Sequence, residues 1–236
     1  MTKETQDSAL IQRSLFGRRK GRPLTGIRAQ AIETALPKLQ IEQNLLSQNY
    51  TLDPAHLFNF TPKAIVLEIG FGQGERLSQE SLQCPKTAFL GAEPFLNGMA
   101  AFLSEIKEEQ NNIRVLMDDG MILARSLREN SIDTLYVLNP DPWHKTRHHK
   151  RRIINQDNLD IFARILKPGG MLVLTTDVPY LAEWMVTQTA LHPAFAWTAQ
   201  SRKDWHNAPP GWIQTRYETK GAKGAKKMVY MIFKKT

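Results

Sequence analysis

The sequence predicts a single doubly wound α/β domain, one mostly parallel sheet with helices on both faces, preceded by a basic N-terminal arm. Three observations predict it. Short apolar runs of strand length alternate with helical segments from residue 64 onward, the pattern of repeated βαβ units. The first run ends in a glycine-rich turn that opens a helix, as happens where a ligand meets the carboxyl end of a parallel sheet. The 236 residues, 42% hydrophobic and 23% charged, suffice for a sizeable core and exclude a wholly disordered chain.

Residues 1–26 are polar and basic, and Gly17, Gly21, Pro23 and Gly26 interrupt any helix, so a mobile arm that need not line a pocket is expected before a domain spanning 27–236. The apolar spacing of 27–36 suits a short helix ended by Pro37. Ala64–Ile69 reads as a buried strand, Gly70 to Gly74 as a turn, and 75–82 as a helix. Thr87–Ala92 is the second strand and 97–109 a helix. A third strand at 113–117 is followed by a helix at 121–127. Ile132–Leu138 is the fourth strand, followed by a basic loop and a helix at 153–166. Lys167-Pro168-Gly169-Gly170 stops that helix and opens a fifth strand, 171–175. A helix at 180–190 and late strands at 194–199 and 228–233 complete the chain.

The net charge is +8, and it is clustered. Residues 8–32 (Arg13, Arg18, Arg19, Lys20, Arg22, Arg28), 144–152 and 219–236 hold 17 of the 31 cations and no acid, leaving the rest of the chain at −9. An acidic body with three basic segments suits a polyanion, because each cation laid on a phosphate releases counterions. The longest apolar stretches, such as 171–174, fall far short of the roughly 18 residues a membrane span needs, and the N-terminus lacks the apolar core of a secretory signal. Cys84 is the single cysteine, so an intrachain disulfide and a Cys-rich metal site are excluded and a cytoplasmic location is expected.

In Leu67-Glu68-Ile69-Gly70-Phe71-Gly72-Gln73-Gly74, Gly70 and Gly72 let the backbone pass close to a ligand. The spacing departs from the dinucleotide fingerprint. Glu68 would repel a pyrophosphate at short range, whereas a ligand with a cationic, amino-acid-like end tolerates it. S-adenosylmethionine has such an end, with an ammonium and a sulfonium. Glu93 closes the second strand, where a carboxylate can accept both ribose hydroxyls, and Asp118 or Asp119 could hold the adenine amino group.

Asn139-Pro140-Asp141-Pro142-Trp143 follows the fourth strand. Its two prolines narrow the directions open to Asp141, and Trp143 offers a face for a base. The basic run from His144 to Arg152 would meet phosphates outside. His144, His148 and His149 lie among cations with no nearby carboxylate or thiol, so no metal is expected.

Across most of residues 18–236 the chain resembles the bacterial-type tRNA (guanine-N7-)-methyltransferases. The resemblance runs through RRKGR from Arg18, LEIGFGQGE from Leu67, GAEPF from Gly91, PDPWHKTRHHKRR from Pro140, LKPGGMLVLTTD from Leu166 and TRYE from Thr215. It implies a Rossmann-like methyltransferase fold and methylation of guanine N7 at position 46 in the tRNA variable loop, with S-adenosylmethionine as donor and no obligate protein partner. Carried over by position, it implies cofactor contacts at Glu68, Glu93, Asp119 and Asp141, with Asp141 also the catalytic acid. Substrate contacts are implied at Lys145, Asp177, Thr215, Arg216, Tyr217 and Glu218. The chain departs from the family at Asn139 (usually aromatic), His144 (often Pro) and Val178 (commonly Trp). NPDPW also loosely resembles the motif of exocyclic amino methyltransferases, and a non-catalytic RNA-binding module on a decayed cofactor fold is a further alternative.

Overall fold

The computed structural model of the chain describes residues 16–47, 49–220 and 227–236. The first fifteen residues of the expected arm, Arg13 among them, and Lys223 and Lys226 of the C-terminal basic run lie outside the described residues. Helices α1 (Gly26–Thr34) and α2 (Leu36–Leu39) come first. The sequence suggested one helix ended by Pro37. Instead Pro37 sits in the first turn of α2, where no intrahelical N–H is required of it.

The alternating unit then runs β1 (Ala64–Ile69), α3 (Glu75–Gln83), β2 (Thr87–Ala92), α4 (Leu96–Leu103), β3 (Ile113–Leu116), α5 (Gly120–Ser126), β4 (Ile132–Leu138), α6 (Gln156–Ile165), β5 (Leu166–Thr176), α7 (Pro179–Leu191), β6 (Phe195–Trp197), α8 (Arg202–His206), α9 (Arg216–Lys220) and β7 (Val229–Lys235). The strands form one sheet in the order β3-β2-β1-β4-β5-β7-β6. β1 to β5 are mutually parallel, and β7 runs antiparallel between β5 and β6. The chain winds outward from β1 to β3 and then returns to β4 on the other side. That reversal opens a crevice at the carboxyl ends of β1 and β4.

Period-two alternation in β1 divides the core. Ile65, Leu67 and Ile69 face a layer built from α5, α6 and α7, with Leu123, Phe162 and Met185 buried there. Val66 faces the opposite layer, where Leu77 of α3 and Met99 and Phe102 of α4 pack. Two expected elements differ. Helix α4 stops at Leu103, well before 109, because the following stretch is held by buried amides. Gln110 bonds to the Ser78 carbonyl and Ser81 hydroxyl, and Asn112 donates to the carbonyls of Ser81, Cys84 and Thr87. Strand pairing in β5 begins already at Leu166, opposite Ile132, and residues 167–170 bulge out before Met171 rejoins opposite Thr134. Lys167 anchors the bulge by an ion pair to Asp133 at 2.8 Å. Among the described residues no helix is long and apolar enough to cross a membrane.

Candidate active site

β1 delivers the chain into the turn Gly70 to Gly74, in which Gly70, Gly72 and Gly74 have φ of 76°, 63° and 70°. At Gly74 a side chain is doubly excluded, since a Cβ would also lie 2.2 Å from Phe102 of α4. Glu93, just past β2, is buried, and its carboxylate is aimed by the backbone. Oε2 accepts from the Gly72 N–H at 2.7 Å and Oε1 from the Phe95 N–H at 2.8 Å. Each oxygen retains acceptor capacity for a ligand. Burial pushes the Glu93 carboxyl above the usual carboxylate range, and the two N–H groups pull it back.

Gly98 in α4 carries no sequence signal, yet a Cβ there would sit 2.5 Å from the Gly72 carbonyl oxygen. Gly98→Ala is therefore expected to push the turn away from Glu93 and weaken binding of S-adenosylhomocysteine roughly ten-fold or more. Calorimetry reads this directly, and an unchanged affinity would detach Gly98 from the site.

Above the crevice lies a cavity of about 470 Å³ whose wall includes Gly70, Glu93, Asp119, Asn139, Asp141 and Trp143. Asp119 caps α5, accepting the Met121 N–H at 2.9 Å. Of the two adjacent acids only Asp119 lines this cavity; Asp118 instead accepts from Arg19 at 3.0 Å and from the Asp119 N–H. Asn139 and Trp143 hold positive φ, 48° and 45°, at either end of the proline-flanked turn. The Asn139 side-chain oxygen is buried without a hydrogen-bond partner among the described residues. Three carboxylates and an unsatisfied amide oxygen form a donor-seeking wall. It fits the hydroxyls, amine and cationic end of S-adenosylmethionine far better than a polyphosphate.

A mobile arm need not line the pocket. Residues 16–18 form part of the wall, and residues 19–22 pack against its neighbourhood. Phe16, Gly17 and Arg18 line the cavity, the Leu96 N–H donates to the Arg19 carbonyl, and Asn97 bonds to the backbone of Gly21 and Arg22. Phe16 meets Trp143 edge-on at 6.3 Å, and the Arg151 guanidinium lies over both rings. The basic run after Trp143 is likewise divided in its roles. Arg152 is buried, donates to the Pro142 carbonyl at 3.0 Å and stacks on Trp184, so it braces the turn. Lys145, Arg147 and Lys150 remain exposed, and Lys145 does not touch the cavity wall.

Glu68, expected as a cofactor contact, does not line this cavity. Strand alternation turns it to the face opposite Ile69, away from the cavity. There its carboxylate lies 3.5 Å from Arg76, which also pairs with Glu80 and stacks on Tyr136. Burial, only partly offset by Arg76, pushes Glu68 up to about 7. A folded-state value above the unfolded one stabilises most at low pH, and that contribution is lost as pH rises through 7. Glu68→Gln should accordingly show a flatter melting temperature than the wild type between pH 5 and 8. Parallel pH profiles would overturn the burial argument.

The remaining predicted residues gather in the C-terminal segment. Tyr217 donates to Asp177 at 3.2 Å, Thr215 accepts the Glu218 N–H at 3.3 Å, and Glu218 accepts from the Trp212 indole at 3.0 Å. Arg216 bonds to Gln73 and Glu105. Of the predicted cofactor residues, Gly70, Glu93, Asp119 and Asp141 meet at the cavity, Gly72 fixes Glu93 from outside it, and Glu68 lies beneath the turn. Phe16, Arg76 and Gly98 were missed, and Arg151 was read only as part of the phosphate-facing run, because pairings across the sheet and close approaches leave no local pattern.

A family model described as "Putative methyltransferase" matches residues 62–231. The chain is 40% identical over 235 residues to the tRNA (guanine-N(7)-)-methyltransferase of Agrobacterium fabrum (strain C58), covering 99% of each. It is 40% identical to the protein of that name from Rhizobium meliloti (strain 1021), over 94% of this chain and 95% of that one. Two solved structures share the fold at low identity. TrmN from Thermus thermophilus has a TM-score of 0.51 at 18% identity, over 85% of this chain and 52% of its own. The 16S rRNA methyltransferase KamB has a TM-score of 0.51 at 12% identity, over 74% and 89%.

Proposed function

We propose, since this chain belongs to the tRNA (guanine-N(7)-)-methyltransferase family, that it methylates N7 of guanine 46 in the tRNA variable loop, in the cytoplasm, with S-adenosylmethionine as donor. The observation that carries this reading is the meeting of Gly70, Glu93, Asp119 and Asp141 around one cavity at the point where the sheet reverses. The bound cofactor supplies an electrophilic methyl group on a sulfonium. Glu93, aimed by the Gly72 and Phe95 N–H groups, takes the ribose hydroxyls, and Asp119 takes the adenine end. Glu68 acts indirectly, holding Arg76 beneath the turn.

Guanine N7 carries a lone pair and no proton, so the reaction asks for no general base. The chain's work is to position the base, exclude water and stabilise the positive charge that develops on it. Asp141 supplies negative charge at the wall of the cavity, and Lys145, Asp177 and the segment from Thr215 to Glu218 serve the tRNA side. The domain spans residues 27–236, and the arm before it contributes both charge and, at residues 16–18, cavity wall.

The test is transfer of a labelled methyl group from S-adenosylmethionine to bulk tRNA, followed by nucleoside analysis and by a tRNA with adenine at position 46. Labelled 7-methylguanosine that disappears with the altered tRNA is expected. Label on an exocyclic amine would place the chain in another specificity class. Absence of both transfer and cofactor binding would return it to a non-catalytic RNA-binding role.

A further inference from the structure

Resemblance alone makes Arg216 a tRNA contact, but its guanidinium is committed elsewhere. Nη1 donates to Gln73 Oε1 at 3.1 Å, Nη2 donates to Glu105 Oε1 at 3.1 Å, and Nε lies 3.5 Å from Glu75 Oε1. Gln73 belongs to the glycine turn itself, and Glu75 is the first residue of α3 directly after it. One residue along, Tyr217 reaches Asp177 just past β5. The Trp212 ring, tied to Glu218, packs toward Tyr136 of β4 at 6.4 Å and Tyr230 of β7 at 5.0 Å. β1, β4 and β5 are neighbours in the sheet. Residues 212–218 therefore form a crosspiece over the ends of three adjacent strands, fastened at one end to the cofactor turn.

We infer that Arg216 is a positioning residue of the cofactor site, holding the glycine turn through Gln73 and Glu75, so that the Gly72 N–H keeps the Glu93 carboxylate aimed at its ligand. This deepens the functional reading above and rests on it for the identity of the cofactor. The side-chain chemistry suits the role. A planar guanidinium presents five donors in a fixed fork and meets acceptors on a loop, a helix start and a separate segment at once, which a lysine ammonium on its single point cannot span. Each contact is partly exposed and individually weak, so the effect comes from their acting together on one turn.

The experiment compares the full-length wild type with Arg216→Lys, Arg216→Ala, Gln73→Ala and the Gln73→Ala/Arg216→Ala double variant. Binding of S-adenosylhomocysteine is measured by calorimetry, tRNA binding by salt titration, and the ligand-free melting temperature alongside. Arg216→Lys and Gln73→Ala should each weaken S-adenosylhomocysteine about five-fold. The double variant should be little worse than the weaker single variant, because both remove one coupling. Steady-state kinetics of Arg216→Lys should show a raised KM for the methyl donor with kcat nearly retained.

If Arg216 is instead a phosphate contact, lysine will replace it, cofactor affinity will stay at the wild-type value, and Arg216→Ala will lower the salt slope of tRNA binding by about 0.7–0.9. That result overturns the assignment. So does a fall in melting temperature with unchanged cofactor affinity, which would make the contacts structural only. A failure of the functional reading is separate and visible in the wild type, as absent transfer to tRNA, whatever the cofactor titrations give.

Discussion

Asp141→Ala is expected to lower single-turnover methyl transfer by on the order of 10²-fold or more while leaving the melting temperature within about a degree of the wild type. The large effect on rate follows from position. Asp141 sits between two prolines just beyond the carboxyl end of β4, exposed on the cavity wall, and on the proposed function the base would become cationic there as it gains the methyl group. The small effect on folding follows from its surroundings, because the carboxylate forms no hydrogen bond or ion pair with the described residues. Asp141→Asn separates charge from hydrogen bonding. A variant that retains most of the rate would mean that the acceptor oxygen matters more than the charge. Full turnover in the alanine variant would remove Asp141 from the chemistry.

Glu93→Ala should have the second large effect, this time on binding. Loss of one partner of a charge-assisted hydrogen bond costs about 1.5–3 kcal/mol, or roughly 10- to 150-fold in affinity for S-adenosylhomocysteine. The same change strips the acceptor from the Gly72 and Phe95 N–H groups. The ligand-free protein should therefore also lose about 1–3 kcal/mol of stability if those donors stay buried and unpaired. Glu93→Gln retains one acceptor and should fall between. Affinity for tRNA, compared at one fixed ionic strength, should change less than two-fold. Cofactor affinity unchanged in both variants would take Glu93 out of the site.

The two parts of the molecule were legible to different degrees. β1, β2 and β4 begin and end where the apolar runs do, because a strand buried on both faces must be apolar along its length, and that is a one-dimensional signal. The glycine turn, the acids after β2 and β3 and the proline-flanked Asp141 were readable for the same reason. Each lies at a fixed short distance beyond a strand, and parallel strands bring all their carboxyl ends to one edge. Helix ends were less legible where side chains far along the chain intervene, as Gln110 and Asn112 do beyond α4. The packing of the arm over residues 16–22 was not legible. Its fastening to Asp118, Asn97 and Leu96 joins segments more than seventy residues apart, and no local composition reports such a contact.

By itself the sequence determined the α/β class, the element order, the edge of the sheet where the candidate residues gather and a family resemblance resting on contiguous motifs. Those properties depend on residue type and spacing within a few turns of chain. Only the tertiary structure decided the direction of each side chain at that edge. It turned Asp119 rather than Asp118 to the cavity and Glu68 away from it to Arg76, drew Arg152 inward as a brace, and directed Arg216 toward the glycine turn. The physical reason is that a charged side chain goes where partners can satisfy it, and partners for a half-buried charge come from whichever segments the packed core has brought near.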